Sequence, residues 1–130
     1  MDLITVTRQE NLEFNIHVRG RDVISDMSEE DGGRGAGFSP AELFAGSLGV
    51  CIAMMVQGYC DRKGYTDGDV AVNLTLELAD DPKRVDAIVI DVELPDGFPE
   101  DRLDAVRRVA ERCVIHETLN HPPRVDVEFV

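Results

Sequence analysis

The sequence predicts an α+β domain with a largely antiparallel sheet, one domain over residues 1–130, its elements ordered βββ-α-ββ-α-β. Three observations predict it. Apolar residues alternate with period two in two separate blocks, one near the start and one in the middle. A long apolar segment opens with a helix start signal at residues 39–42. A second, amphipathic segment with helical spacing follows residue 98. Hydrophobic residues make up 43% and charged residues 30%, the composition of a packed domain rather than a disordered one.

The first block reads as three short strands. Residues 3–7 (LITVT) are β-rich, and residues 14–18 place Phe14, Ile16 and Val18 on one face with Asn15 and His17 on the other. Gly20 marks a turn and residues 22–25 (DVIS) make a third strand, giving an antiparallel meander. Residues 29–38 (EEDGGRGAGF) are a loop. It is not a phosphate loop, because no G-K-[ST] follows and the glycines do not fit GxGxxG after a buried strand.

The first helix starts at Ser39-Pro40-Ala41-Glu42. Ser39 is a good N-cap, Pro40 suits the first helical position, and Glu42 completes a capping box. The run from 43 to 56 is apolar on nearly all sides, so it predicts a core helix; at 14 residues it is short for a bilayer span. Phe44, Leu48, Cys51, Met55 and Tyr59 follow one stripe, and Gly64 ends the helix after Arg62 and Lys63.

Val70, Val72, Leu74, Leu76 and Leu78 then face one way, a turn follows at 80–83, and Ile88, Ile90, Val92 and Leu94 return, which makes a hairpin with one covered side. Pro99 opens a second helix whose apolar stripe is Leu103, Val106, Ala110 and Cys113, with Arg102, Asp104, Arg107, Arg108, Glu111 and Arg112 on the wet face. Asn120-His121-Pro122-Pro123 stops it, and residues 124–130 (RVDVEFV) alternate as a last strand.

The charge balance excludes some partners. With 26 acidic and 13 basic side chains the net charge is −13, a surface that repels phosphate backbones and anionic membranes, so neither nucleic acid nor membrane is expected as a partner. Residues 1–14 show neither a basic leader segment nor a long apolar core, which predicts a cytoplasmic location. Three cysteines in a reducing compartment do not form a structural disulfide framework; they are packing, metal-binding or redox-active.

Cys51 and Cys113 lie on the apolar stripes of the two helices, so the thiols meet if the helices pack together. Packing alone also accounts for each, because free cysteine is among the most buried residue types. Cys60, near the end of the first helix, reads as a bystander. Cys113 and His116 have CxxH spacing and Cys51 would add a third ligand, but no second ligand pair accompanies them; no metal or cofactor is expected. His17 and His121 read as an exposed strand residue and a turn residue.

The stretch SPAELFAGSLGVC resembles the signature of the OsmC-like proteins, in which S-P-x-E-L opens a central helix carrying a cysteine, and ERCVIHETL resembles their second cysteine site. The glycine loop before the serine, the hairpin between the helices and the final strand also follow the order of that family. The resemblance implies an intertwined homodimer with active sites at the subunit interface and thiol-dependent reduction of organic or inorganic hydroperoxides. By that resemblance Cys51 is the peroxidatic cysteine, Cys113 the resolving one, and a dithiol partner is the reductant. The family's peroxide-reducing branches lower the thiol pKa with an arginine held by a glutamate directly after the proline. Here that position is Ala41, and Glu42 stands one step along, turned by about 100° around the helix. Arg34, in the preceding loop, is the leading candidate for the arginine, with Arg19 and Arg21 as alternatives; Val114 replaces a proline that often follows the second cysteine. A non-catalytic small-molecule binding protein, with an apolar interface pocket lined by Phe44, Leu48, Met54 and Met55, is the alternative reading.

Overall fold

The computed structural model describes residues 1–130. The chain forms two compact units, Met1–Gly46 and Ser47–Val130.

In the first unit, β1 (Thr5–Glu10), β2 (Glu13–Val18) and β3 (Arg21–Ser25) pair antiparallel in the order β1-β2-β3. The turn between β2 and β3 holds both Arg19 and Gly20 at positive φ (51° and 72°), the two-residue geometry that matches strand twist. β1 begins later than the sequence suggests. Its register pairs Thr5 with His17 and Glu10 with Glu13, which leaves Leu3 and Ile4 without a partner strand and exposed. After β3 the chain folds back on itself. The carboxylate of Asp26, only 3% exposed, accepts the backbone N–H of Met27 through Oδ1 (2.8 Å) and those of Arg34 and Ala36 through Oδ2 (3.1 Å each). Those three bonds organise the loop, and Ala36 foremost holds the Asp26 carboxyl below its ordinary range. Gly33 sits against the Met27 carbonyl and Asp26 Oδ1, where a Cβ would have no room. The unit bears an open apolar cavity of about 610 Å³ lined by Val6, Leu12, Phe14, Ile16, Leu43 and Phe44, among others.

The helix α1 (Pro40–Lys63) starts and stops where its signals place it, with Gly64 in the left-handed region (φ 80°) just beyond. By length and composition alone its 24 residues would reach across a membrane. Its inner face lies instead in the core of the second unit, but not along the expected stripe. Leu48, Ile52, Val56, Tyr59 and Cys60 are buried, whereas Cys51 and Met55 flank them partly buried. A helix apolar on nearly every side does not reveal from periodicity which face turns inward.

That core is completed by a hairpin and two short helices. β4 (Ala71–Ala79) and β5 (Arg84–Glu93) pair antiparallel, with Val72, Leu74 and Leu76 opposite Val92, Ile90 and Ile88. A bulge between Glu77 and Leu78 breaks the alternation, which turns Leu78 out to 61% exposure. Gly49 on α1 lets Leu74 approach. Tyr59, Tyr65 and Phe98 form a small aromatic cluster, with the Tyr65 and Phe98 rings edge to face at 5.1 Å.

Two expectations are corrected. The second helix is not continuous: α2 (Leu103–Glu111) ends, the chain turns at Arg112 and Cys113, and α3 (Val114–Asn120) follows. The last strand is not formed. Residues 124–130 alternate as expected, but no strand edge of the chain pairs with them, and Val125, Val127 and Phe129 are exposed. A strand exists only where another backbone accepts its hydrogen bonds.

Candidate functional site

The site is built on the break between α2 and α3. Cys113 has extended backbone (φ −63°, ψ 143°) and is the N-cap of α3. Its Sγ accepts the His116 backbone N–H at 3.2 Å, and its carbonyl accepts the Glu117 N–H at 3.0 Å. The sulfur therefore does what a serine or aspartate oxygen does at most helix starts. The sequence signal for this is faint, because cysteine is not among the preferred caps and nothing in ERCVIHE marks a helix break. His116 takes part through its backbone N–H.

Cys113 meets Cys51. The two cysteines are neighbours, with Cys51 of α1 packed against the core cluster that holds Cys113 at the α2–α3 break, as their apolar stripes suggest. Their environments differ. Cys113 is 1% exposed, whereas Cys51 is partly open to solvent. Burial first, and then the neighbouring Cys51 sulfur, push the Cys113 thiol pKa up, against the opposing N–H groups of His116 and Ile115. Of the two sulfurs, the one that solvent reaches is Cys51. All three cysteines are free thiols. Cys60 is fully buried, and burial, with Asp61 adding to it, raises its pKa, so it is packing. No group of three or more His, Cys, Asp or Glu side chains converges as a metal site would need.

Glu42 and Arg34 belong to the first unit, where each has partners of its own. Glu42 closes a reciprocal capping box: its Oε1 accepts the Ser39 N–H at 2.8 Å while Ser39 Oγ accepts the Glu42 N–H at 3.2 Å. Bonding to Ser39 lowers the Glu42 pKa. Arg34 reaches Glu10 at 3.2 Å and, with the Asn11 amide turned, the Asn11 oxygen at 2.7 Å. Both members of the Arg34–Glu10 pair are more than half exposed. Of the residues expected at an apolar pocket, Phe44 lines the 610 Å³ cavity, Leu48 is core, Met55 packs against the core and Met54 is 71% exposed.

Comparisons with known proteins follow the same lines. The fold is that of a Psychrobacter arcticus protein provisionally described as an osmotic stress induced and detoxification response protein (22% identity, TM-score 0.80, covering 88% of this chain and 85% of that one). It is also that of an OsmC-like protein from Mycoplasma pneumoniae (18% identity, TM-score 0.78, 94% and 89% covered). An organic hydroperoxide resistance protein OsmC from Legionella pneumophila is more distant in shape (18% identity, TM-score 0.63, 92% and 88% covered). Curated proteins give no significant sequence match. The profile of the OsmC-like proteins matches residues 32–128, a span that takes in the capping box, both cysteines of the pair and the helix break between them. The chain belongs to the OsmC-like family.

Proposed function

We propose that this protein reduces hydroperoxides through Cys51 and Cys113. One observation carries the reading: a partly open thiol and a fully buried thiol lie side by side inside the second unit. The Cys51 thiolate attacks the outer peroxide oxygen, the O–O bond breaks, and the alkoxide leaves as an alcohol after taking a proton. Cys51 is now a sulfenic acid. The Cys113 sulfur attacks it, its proton leaves with the hydroxide as water, and a disulfide remains. A dithiol reductant restores both thiols by exchange. The hydroperoxide-resistance name of the Legionella relative supports this substrate class.

Arg34 and Glu42 are, by the likeness to the family, the proposed cation and carboxylate of the reaction. The Arg34–Glu10 pair does not stand in the way, since an exposed ion pair is worth about 0–1 kcal/mol. The working form is a homodimer. The unpaired, alternating residues 124–130 and the open apolar cavity of the first unit are what a second copy would cover. A cytoplasmic location follows from the same reading, where dithiol reductants operate.

The test is direct. Reduced protein mixed with cumene hydroperoxide should consume peroxide and lose two thiols per chain, and Cys51→Ser should abolish both. Peroxide left untouched with Cys51 and Cys113 still reduced would end the proposal. The cavity of about 610 Å³ favours a second reading, a binding protein for an apolar ligand in which the cysteines only pack. Under that reading Cys51→Ser keeps ligand affinity, and Phe44→Asp, which lines the cavity, loses it.

A further inference from the structure

The cap on α3 and the resolving thiol are the same atom. We propose that disulfide formation between Cys51 and Cys113 uncaps α3, so that the order of this surface helix follows the redox state of the pair; the inference rests on the peroxidase reading for its physiological oxidant.

Cys113 Sγ holds the His116 N–H at 3.2 Å, and no other side chain caps the first turn of α3. The helix has seven residues, none fully buried, with Val114 69% and Leu119 40% exposed. A helix this short does not persist on propensity alone, so it depends on its cap and on the partly buried Ile115. The other sulfur is on a different kind of element. Cys51 belongs to a 24-residue helix whose neighbouring residues, Leu48 and Ile52, are core.

Closing a disulfide requires the sulfurs to approach to about 2.05 Å, far inside any hydrogen-bonding contact between thiols. The approach falls on Cys113, because Cys51 sits partway along the 24-residue α1 whereas Cys113, although buried, lies on the turn between two short helices. Sγ then leaves the His116 N–H. The chemistry balances with a hydroperoxide as oxidant: Cys51 thiol plus hydroperoxide gives sulfenic acid plus alcohol, and sulfenic acid plus Cys113 thiol gives disulfide plus water. Reduction by a dithiol returns the sulfur to its cap.

Amide hydrogen exchange on the full chain tests this at His116 and its neighbours in α3, in the reduced protein and after oxidation by cumene hydroperoxide or, separately, by diamide. Exchange at His116 should accelerate about fivefold to tenfold on oxidation, the size of a lost cap. Cys51→Ser should show no change under either oxidant, and Cys113→Ser, whose hydroxyl caps without forming a disulfide, should stay protected throughout. A thiol count that proves the disulfide while His116 exchange stays unaltered overturns the proposal. If hydroperoxide leaves the thiols free but diamide closes the bond, the peroxidase reading fails and the switch is still judged by the diamide sample. If neither oxidant closes it, the switch fails too.

Discussion

Two glycines on α1 lie three residues apart and should respond oppositely to the same substitution. Both pay the conformational cost of glycine in a helix, so alanine at either gains about 0.8–1 kcal/mol of local stability. At Gly46 an added Cβ meets nothing within 4 Å, so the gain is kept. At Gly49 the same Cβ stands 2.5 Å from Leu74 Cδ1, with Leu74 Cγ and Cδ2 at 3.6 Å. Only the end of the leucine has to give, which costs a rotamer distortion of about 0.5–1.5 kcal/mol, plus the loss of its packing against the hairpin, for an overpacking total of about 1–3 kcal/mol. Gly46→Ala is therefore expected to raise stability by about 0.8–1 kcal/mol, near 3–4 °C in Tm for a chain of this length. Gly49→Ala is expected to be destabilising by about 1 kcal/mol, with Gly49→Ala/Leu74→Val recovering part of the loss. Urea unfolding of the three variants followed by circular dichroism measures this. Equal shifts of the same sign would refute the packing argument. A loss at Gly46 would refute the open space there and would mark that face as one a second copy covers.

Other outcomes follow from the same geometry. Ser39→Ala removes one arm of the capping box and should cost about 1 kcal/mol in denaturant unfolding. Val56→Ala deletes two methyl groups from a side chain 1% exposed and should cost about 2–3 kcal/mol, read from the same titrations. Asp26 and Glu42 have pKa values depressed in the folded state, so their contribution is complete above the ordinary carboxylate range of about 4 and is lost as pH falls through their lower folded values. Asp26→Asn should therefore flatten the acid limb of the stability–pH curve, and an unchanged limb would remove Asp26 from it. Cys113→Ser should leave the first oxidation of Cys51 intact but prevent the disulfide, so that excess hydroperoxide drives Cys51 to sulfinic acid, visible by intact mass.

Much of the fold is legible in the sequence because it is local. The capping box at Ser39 and Glu42, the glycine after Lys63, the turn at Gly20 and the alternation of β4 and β5 each depend on residues within a few positions of one another. The pairing of Cys51 with Cys113 is half legible. Helical spacing puts each on an apolar face, and the likeness of both cysteine contexts to one family joins them. Three features are decided elsewhere. The inward face of α1 is chosen by what packs on it, since its own residues are apolar nearly all round. The break at Cys113 has no sequence marker, because a thiol as N-cap is outside the usual set. Residues 124–130 carry a strand's alternation but are no strand within one chain, because alternation describes side chains while a strand needs a neighbouring backbone to bond with. By itself, then, the sequence determined the first meander, both ends of α1, the β4–β5 hairpin and which two cysteines lie on apolar helical faces. Only the tertiary structure decided that one thiol is open and the other buried, and that the buried one also holds a helix, because burial and capping depend on neighbours that are distant along the chain or hidden in the backbone's turn.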